Sequence, residues 1–335
     1  MQDNVLDDIG ILEGTDKSST RWDYLRHYQE VFRDWRDDEF NLIEIGVAGG
    51  NSILTWRKFF ARANIVGIDI SESARRCRRD GIEIEIGSQA DESFLNAVSD
   101  KYPPSIVIDD GSHQADHIMV SFRAIFPRLA PGGWYVIEDL NITGSQDKVP
   151  VTPHLFFSRA AHALLNRKSD DQSAIAEHID RIDCAPGIVF VRKKDPRARH
   201  ARLMRDVELV ERTRNANNYH WLATRMAEDY GDLPQAETLA RRAAELHPGA
   251  AVYHLGLSRI LQQRCNTEGS VEAARNAVAA EPANFESHFQ LAAALLDLGD
   301  LRQASEAFDK SIDAAPKYLR IHVTNRWDKI RGKAI

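Results

Sequence analysis

Two aspartates and two histidines follow an apolar run in the segment IVIDDGSHQADH, residues 106–117. Asp109 and Asp110 end a predicted strand, and His113 and His117 come soon after them. Carboxylates are ligands that hard divalent cations such as Mg²⁺ prefer. A histidine, with an ordinary pKa of about 6.5, can accept a proton at neutral pH. The segment is therefore typical of a site that holds a cation and moves a proton.

The same residues have simpler explanations. Asp109 or Asp110 could cap the helix predicted to begin near His113, and DDG is a common turn sequence. His113 and His117 have a spacing found in transition-metal sites, but neither a cysteine nor a third histidine lies near them in the sequence. We therefore assign no role to His117.

A second acidic pair ends the predicted strand in LAPGGWYVIEDL. Glu138 and Asp139 could bind a cation, or they could form a solvated strand end. Successive strand side chains point to opposite faces, so the two residues can share a metal only if the chain leaves the strand there. The sequence LNITG that follows is compatible with such an exit.

A glycine-rich turn follows the first predicted strand in LIEIGVAGGNS. Gly46, Gly49 and Gly50 permit a tight turn and close approach of the backbone to a ligand. The third glycine of the G-x-G-x-x-G dinucleotide fingerprint is missing near Ser52, and Glu44 lies inside the strand. These two features argue against a dehydrogenase.

Two further strand ends offer polar groups to a nucleoside. Asp69 lies about 20 residues beyond the glycines, where a carboxylate can accept hydrogen bonds from ribose hydroxyls. A helix N-cap is its simpler role, but Ser71 is the better cap residue. The third strand is followed by GSQAD, in which Ser88 and Gln89 could flank an adenine ring.

Short apolar runs alternate with amphipathic segments over the first ~195 residues. This alternation predicts βαβ units in a Rossmann-like, doubly wound, mostly parallel seven-stranded sheet. Only CAPG separates the last two runs, which favours a hairpin. The predicted strands are residues 41–47, 64–70, 82–87, 105–110, 134–139, 178–183 and 187–193.

Ligands of doubly wound sheets bind beyond the carboxyl ends of the strands, at the point where strand order reverses. The first and fourth strands are expected to flank that point. The glycine turn, the segment Asp109–His113 and the pair Glu138–Asp139 should then converge on one rim. We expect Asp110 to face a metal, and Asp109 to be a cap or a cofactor-side acceptor.

The second half is alanine- and leucine-rich and repeats itself. Pro248, Pro282 and Pro316 are 34 residues apart, and the turn glycines Gly231 and Gly299 are two such periods apart. The pattern resembles the tetratricopeptide repeat. We predict a basic linker with a connecting helix at 196–216, then an all-α domain of three repeats and a capping helix at 217–335.

The bulk properties exclude several classes of protein. The net charge of −7 gives a nucleic-acid role no support. The three cysteines form no CxxC pair, which suits a reducing compartment, and neither a signal peptide nor a membrane span is evident. We therefore expect a soluble cytoplasmic protein that binds neither nucleic acid nor membrane.

Residues 12–195 resemble the metal-dependent sugar O-methyltransferases of macrolide biosynthesis, the macrocin and mycinamicin group. The resemblance rests on GTDKSSTRWDYLRHYQEVF, LIEIGVAGGNS, GSQADESFL, IVIDDGSHQADH and PGGWYVIEDL. It implies His113 as catalytic base and a Mg²⁺ ion on Asp110, Glu138 and Asp139. It also implies that the GTDK segment closes over cofactor and acceptor, with Lys17 and Tyr24 as the residues of interest.

The sequence thus predicts a methyltransferase that uses S-adenosylmethionine and Mg²⁺ to methylate a hydroxyl on a sugar. The sugar would belong to a natural product, as a glycosylated small-molecule acceptor, or to a surface glycan. Two alternatives stay open: an NAD-dependent oxidoreductase, and a repeat scaffold with a vestigial enzyme half. The repeats could bind a protein partner or mediate self-association. The region of about 141–178 should shape the acceptor site. The expected cofactor residues are Glu44, Gly46, Gly49, Ser52, Asp69, Ser88, Gln89 and Asp109.

Overall fold

A computed structural model describes residues 4–140, 152–166 and 175–334. The chain divides into two compact units, Met1–Arg197 and Ala198–Ile335. Half of the region expected to shape the acceptor site, residues 141–151 and 167–174, lies outside the described residues.

The N-terminal unit contains the predicted seven-stranded sheet, with strand order β3-β2-β1-β4-β5-β7-β6. Strands β1 to β5 pair in parallel, whereas β7 is antiparallel to both β5 and β6. The predicted hairpin is confirmed, since Ala185 pairs with Ile188 across a short turn. The strands are β1 (Asn41–Ile45), β2 (Asn64–Asp69), β3 (Ile82–Ile86), β4 (Pro104–Asp109), β5 (Trp134–Ile137), β6 (Ile179–Ala185) and β7 (Ile188–Lys193).

Helices cover both faces of the sheet. The helices of this unit are α1 (Val5–Glu13), α2 (Leu25–Phe32), α3 (Asn51–Phe59), α4 (Glu92–Lys101), α5 (Ala115–Ile125) and α6 (Pro153–Asn166). Leu42 of β1 packs in a cluster with Trp56 of α3, and its neighbour Ile43 packs in a cluster with Phe122 of α5 on the other face. Burial of alternate residues on both faces is characteristic of a doubly wound sheet.

The five parallel strands end one or two residues before their predicted limits. β1 ends at Ile45, β4 at Asp109 and β5 at Ile137, and these three residues are neighbours in register. Glu138 therefore follows the strand, and Asp139 has a left-handed backbone with φ 55°. The chain leaves the strand where a shared metal site would require it.

The C-terminal unit is all-α. Its helices are α7 (Pro196–Thr213), α8 (Ala216–Arg225, extended by a π-turn at Met226–Tyr230), α9 (Leu233–Leu246), α10 (Ala251–Gln263), α11 (Thr267–Ala280), α12 (Phe285–Leu298), α13 (Leu301–Ala314) and α14 (Arg320–Ala334). Leu203 and Val207 of α7 are buried in a cluster with Tyr219 and Leu222 of α8. The segment expected as a linker is thus a helix that packs into this unit.

The 34-residue period sets the conformation of each helix pair. Gly231 and Gly299 adopt the left-handed conformation, with φ of 67° and 85°. Cys265, which stands where the second repeat lacks its glycine, adopts the same conformation with φ 58°. The next residue caps the following helix in each repeat through its side chain: Asp232, Asn266 and Asp300. These helix pairs confirm the predicted tetratricopeptide architecture.

Two histidines one period apart make the same contact, which sequence reasoning missed. The ring of His254 donates to the carbonyl of Pro248, and that of His288 donates to the carbonyl of Pro282, at 2.9 and 2.8 Å. These bonds satisfy carbonyls of the turns between repeats. Among the described residues, no helix is long and apolar enough to cross a membrane.

Candidate metal and cofactor site

Lys17 lies buried among carboxylates at the rim of the sheet. Its ammonium donates to Asp110 Oδ2 and, at 2.6 Å, to Glu138 Oε2. Glu44 Oε1 lies 3.8 Å from the same ammonium. The Lys17 side chain is only 2% exposed, so these carboxylates replace its water shell. The GTDK segment therefore reaches the predicted metal residues.

Three of the predicted site residues form a compact donor cluster. One ligand atom each from Asp110, His113 and Asp139 lie within 4.8 Å of one another. His113 Nε2 is 3.9 Å from Asp139 Oδ2. All three residues are partly exposed, so the cluster is accessible to a ligand.

Glu138 turns away from this cluster. Its Oε1 accepts from the Tyr28 hydroxyl at 2.5 Å, and its Oε2 accepts from Lys17. The structure thus brings all three predicted metal ligands to one rim but gives them different partners. Asp110 lies between the two groups, because it contacts Lys17 and belongs to the donor cluster.

Two tyrosines support the acidic pair. Tyr24 immediately precedes α2 and donates to Asp139 Oδ1 at 2.8 Å, while Tyr28 donates to Glu138. Side chains four residues apart lie on one face of a helix, which explains why the two hydroxyls meet adjacent carboxylates. This i,i+4 spacing is visible in the sequence, where the resemblance singled out Tyr24 but not Tyr28.

Three buried groups at this rim have shifted pKa values, because burial disfavours charge and several carboxyl groups share one ammonium. Burial raises the pKa of Glu44 to about 7, with the nearby ammonium of Lys17 opposing the rise. Burial also raises the pKa of Glu138, again against the effect of Lys17. For Lys17, burial lowers the pKa, but Glu138, Asp110 and Glu44 together outweigh it and the net direction is upward.

The residues present fit a hard divalent cation. Glu44, Asp110 and Glu138 lie around the ammonium of Lys17, and Asp139 lies in the donor cluster. Among these described groups, carboxylates outnumber ammonium groups. Carboxylate oxygens are the preferred ligands of Mg²⁺, and water molecules commonly complete its octahedron. Asp110 and Asp139 are already close enough together to share such an ion.

The backbone is strained at this rim. Ala48, His113 and Asp139 all have positive φ, at 45°, 56° and 55°. Such conformations are uncommon for residues other than glycine and cost about 1–3 kcal/mol each. The surrounding structure thus holds the backbone of these three residues in a conformation that the residues themselves disfavour.

The glycine turn approaches the end of β4 closely. A side chain on Gly46, with φ 95°, would lie 2.1 Å from the backbone oxygen of Asp110. Gly50 also has positive φ, at 90°, and precedes α3. A side chain on Gly49 would meet only Asn51, at 3.8 Å. Gly46 and Gly50 are thus required by the fold, whereas Gly49 leaves open space.

Asp69 is engaged with the glycine turn. Its Oδ2 accepts from the backbone N–H groups of Val47 and Ala48, at 2.9 and 3.0 Å, and its Oδ1 accepts from that of Ser71. Ser71 caps the following turn by accepting from Ser73, as predicted. Asp69 is therefore less free than expected, although each carboxylate oxygen can accept a further hydrogen bond.

Asp109 belongs to a buried network. It accepts hydrogen bonds from Gln89 at 2.5 Å, Ser121 at 2.5 Å and Tyr135 at 3.1 Å. Burial raises its pKa to about 6, and the bonds from Ser121 and Tyr135 oppose this. The capping interpretation of Asp109 and Asp110 was wrong, because α5 begins at Ala115 with Gln114 as its N-cap.

Gln89 and two further side chains fix the turn that carries His113. Gln89 Oε1 accepts from the Ser112 backbone at 2.9 Å. The Ser112 hydroxyl is 2.8 Å from Nδ1 of His117, for which the sequence suggested no role. The Ser88 hydroxyl accepts a local bond from the backbone N–H of Ala90 at 3.1 Å. Gln89 is thus a buried residue that holds the turn through a hydrogen bond to its backbone.

Ile70 is a surface residue that the sequence analysis missed. Its side chain is 77% exposed and follows Asp69 directly. An exposed large apolar residue at a strand end can pack against a flat ligand. The sequence contains a signal for this role, because Ile70 is an apolar residue that directly follows the last paired residue of β2.

A comparison with protein families finds a match for the part of the chain that forms this rim. Residues 43–140 match a family model described as a methyltransferase domain. A second model, for a protein family of unknown function, matches residues 165–315. That match crosses the division between the two units and carries no functional argument.

The chain is similar to curated sugar O-methyltransferases. It is 40% identical over 130 residues to demethylmacrocin O-methyltransferase of Streptomyces fradiae, covering 36% of this chain and 32% of that protein. It is 42% identical over 124 residues to mycinamicin VI 2''-O-methyltransferase of Micromonospora griseorubida, covering 34% and 30%. It is 31% identical over 205 residues to a rhamnosyl tetracenomycin-C 2'-O-methyltransferase of Streptomyces olivaceus, covering 56% and 54%.

A solved structure adds to this likeness. The methyltransferase MycE of the mycinamycin pathway, in complex with Mg, SAH and mycinamycin VI, matches with 30% identity and a TM-score of 0.52. The match covers 57% of this chain and 53% of MycE. The chain thus spans about half the length of MycE, and about a third of the length of the demethylmacrocin and mycinamicin VI enzymes. These findings confirm the resemblance to the macrocin and mycinamicin group.

Proposed function

We propose that the N-terminal unit transfers the methyl group of S-adenosylmethionine to a hydroxyl on the sugar of a glycosylated small molecule. The observation that carries the proposal is the donor cluster of Asp110, His113 and Asp139 beside the Gly46 turn. The likeness to sugar O-methyltransferases supports the substrate class.

The cofactor would bind across the glycine turn and the ends of β2 and β3. Asp69 would accept hydrogen bonds from the ribose hydroxyls, and Ile70 would pack against the adenine ring. The open space at Gly49 would admit the amino acid part of the cofactor. Glu44, Ser52, Gln89 and Asp109 would act indirectly, since their side chains are buried and bonded within the protein.

His113 would accept the proton of the attacking hydroxyl as the new carbon–oxygen bond forms. The methyl group leaves the sulfonium, S-adenosylhomocysteine is released, and Asp139 Oδ2 stabilises the imidazolium that results. Asp110 and Asp139, with Glu138 as third candidate, would hold Mg²⁺. A bound metal ion lowers the pKa of a coordinated hydroxyl, which makes it a better nucleophile.

The test is methyl transfer from labelled S-adenosylmethionine to a panel of rhamnosylated and 6-deoxyhexosylated polyketides. We expect His113→Ala to lower turnover by about 10²–10⁴-fold, the usual contribution of a general base. Chelation of divalent metal should also abolish turnover, and added Mg²⁺ should restore it.

The matched control is His178→Ala, since His178 is exposed in the short turn that precedes β6, and no described bond joins its side chain to the cluster. Undiminished turnover in both the His113 variant and the chelated enzyme would refute this mechanism. Binding of NAD in place of S-adenosylmethionine, measured by calorimetry, would instead restore the oxidoreductase alternative.

A further inference from the structure

The ammonium of Lys17 faces three carboxylates at unequal distances. It donates to Asp110 and Glu138, but Glu44 Oε1 lies 3.8 Å away, beyond hydrogen-bond distance. An ammonium has three donors, and these two bonds use two of them. Lys17 therefore has a third acidic neighbour to which it could donate after a short movement.

Glu44 has an oxygen that lacks a partner. Its Oε2 accepts from the Ser52 hydroxyl at 2.9 Å, whereas its Oε1 is buried and has no hydrogen-bond partner among the described residues. The indole N–H of Trp56 is also unpaired and lies near this carboxylate. A buried acceptor without a donor is costly, so such atoms usually have a functional explanation. Among the described ion pairs, the cation nearest to this oxygen is the ammonium of Lys17.

A metal ion at the proposed site would compete with Lys17. Asp110 belongs to the donor cluster, yet the ammonium already holds its Oδ2. Two cations cannot approach the same oxygens without repulsion. A metal ion that coordinates Asp110 Oδ2 and Glu138 Oε2 therefore requires Lys17 to release these two oxygens.

We propose that Lys17 is a positioning residue that exchanges partners, moving from Asp110 and Glu138 to Glu44 Oε1 when a divalent cation binds. This inference rests on the proposed function, because it requires the metal site. In the metal-free protein the ammonium keeps the carboxylates in place and partly neutralised. Glu44 then raises metal affinity without being a ligand, because it receives the displaced ammonium.

The test is a double-mutant cycle on Mn²⁺ binding, measured by calorimetry with the full chain. We expect Glu44→Gln to weaken Mn²⁺ binding by about tenfold, the equivalent of about 1.4 kcal/mol. In the Lys17→Met background, Glu44→Gln should change the affinity for Mn²⁺ by less than about twofold, because this variant has no ammonium that could move to Glu44. Lys17→Met alone should bind Mn²⁺ more tightly than the wild type.

An equal effect of Glu44→Gln in both backgrounds would overturn the proposal, since Glu44 would then act through its charge alone. The proposal does not depend on the folding of the Lys17 variant. A crystal structure of the wild-type protein with Mn²⁺ should place the ammonium within hydrogen-bond distance of Glu44 Oε1. An ammonium still bonded to Glu138 beside bound Mn²⁺ would also overturn it.

Failure of the proposed function gives a different result. If the wild-type protein does not bind Mn²⁺, the metal site itself is wrong, and the exchange of partners is wrong with it. If Mn²⁺ binds but the cycle is additive, only the role of Lys17 is wrong.

Discussion

The hydroxyl of Tyr28 illustrates how single residues hold the acidic rim together. Tyr28 is fully buried, contacts Trp56 and Phe190 through its ring, and donates to Glu138 Oε1. The ring belongs to the core, while the hydroxyl at its end serves the site. A residue of this kind connects the stability of the unit with the position of a candidate metal ligand.

We expect Tyr28→Phe to reduce the free energy of unfolding by about 1–3 kcal/mol, since Glu138 Oε1 loses its donor in a buried place. Urea unfolding followed by circular dichroism measures this. The control is Tyr102→Phe, which removes a longer bond of 3.2 Å to Glu85 at a partly exposed site. An equal cost for the two variants would contradict the importance of the buried bond.

The glycine turn between β1 and α3 combines a structural requirement with a functional one. Gly46 is fixed by its positive φ and by the backbone of Asp110, whereas the space beside Gly49 is open. The two glycines thus serve different purposes although they share one motif.

We expect Gly46→Ala to destabilise the protein by at least about 1–3 kcal/mol, because a positive φ and a backbone clash act together. Gly49→Ala should leave the melting temperature unchanged but weaken binding of S-adenosylhomocysteine, measured by calorimetry. Unchanged affinity in the Gly49 variant would exclude close approach of the cofactor at that position.

The turns of the repeats depend on a left-handed residue at the end of the first helix of each pair. A side chain on Gly299 would meet nothing within 4 Å, so any cost of adding one comes from its φ of 85° alone. We expect Gly299→Ala to cost about 1–2 kcal/mol in the free energy of unfolding.

Gly332→Ala is the matched control for this change. It lies in α14 with equally open surroundings and no positive φ, so alanine should stabilise the helix by about 0.5–1 kcal/mol. Thermal unfolding of both variants checks the opposite signs. A stabilising Gly299→Ala would contradict the conformational explanation.

At the scale of the whole molecule, the two units have separate cores. The sheet packs into clusters on its two faces, and the helical repeats form three clusters of their own. The helix α7 packs with the repeats, and the division between the two units, after Arg197, falls within its first turn. Domains with their own cores can fold alone.

We expect a fragment of residues 1–195 to bind S-adenosylhomocysteine like the full chain, and a fragment of residues 196–335 to melt cooperatively as a helical protein. Calorimetry and circular dichroism measure these properties. Loss of binding in the first fragment, with its fold intact, would mean that the repeats contribute to the cofactor site.

The sequence by itself determined the sheet, the repeats and the approximate rim. Apolar runs, glycines and the 34-residue period are local signals, so the strands, the hairpin and the turn at Cys265 followed from them. The convergence of Asp110, His113 and Asp139 followed from a general rule, because parallel strands end on the same edge.

Only the tertiary structure decided how the charged side chains are partnered. Lys17 meets Asp110 and Glu138 across 93 and 121 residues of sequence, and no local pattern encodes such contacts. Glu138 and Asp139 are adjacent in sequence, yet the left-handed backbone at Asp139 gives them different neighbours. Side-chain direction after a strand depends on packing from distant elements, which is why the sequence could name these residues but not their partners.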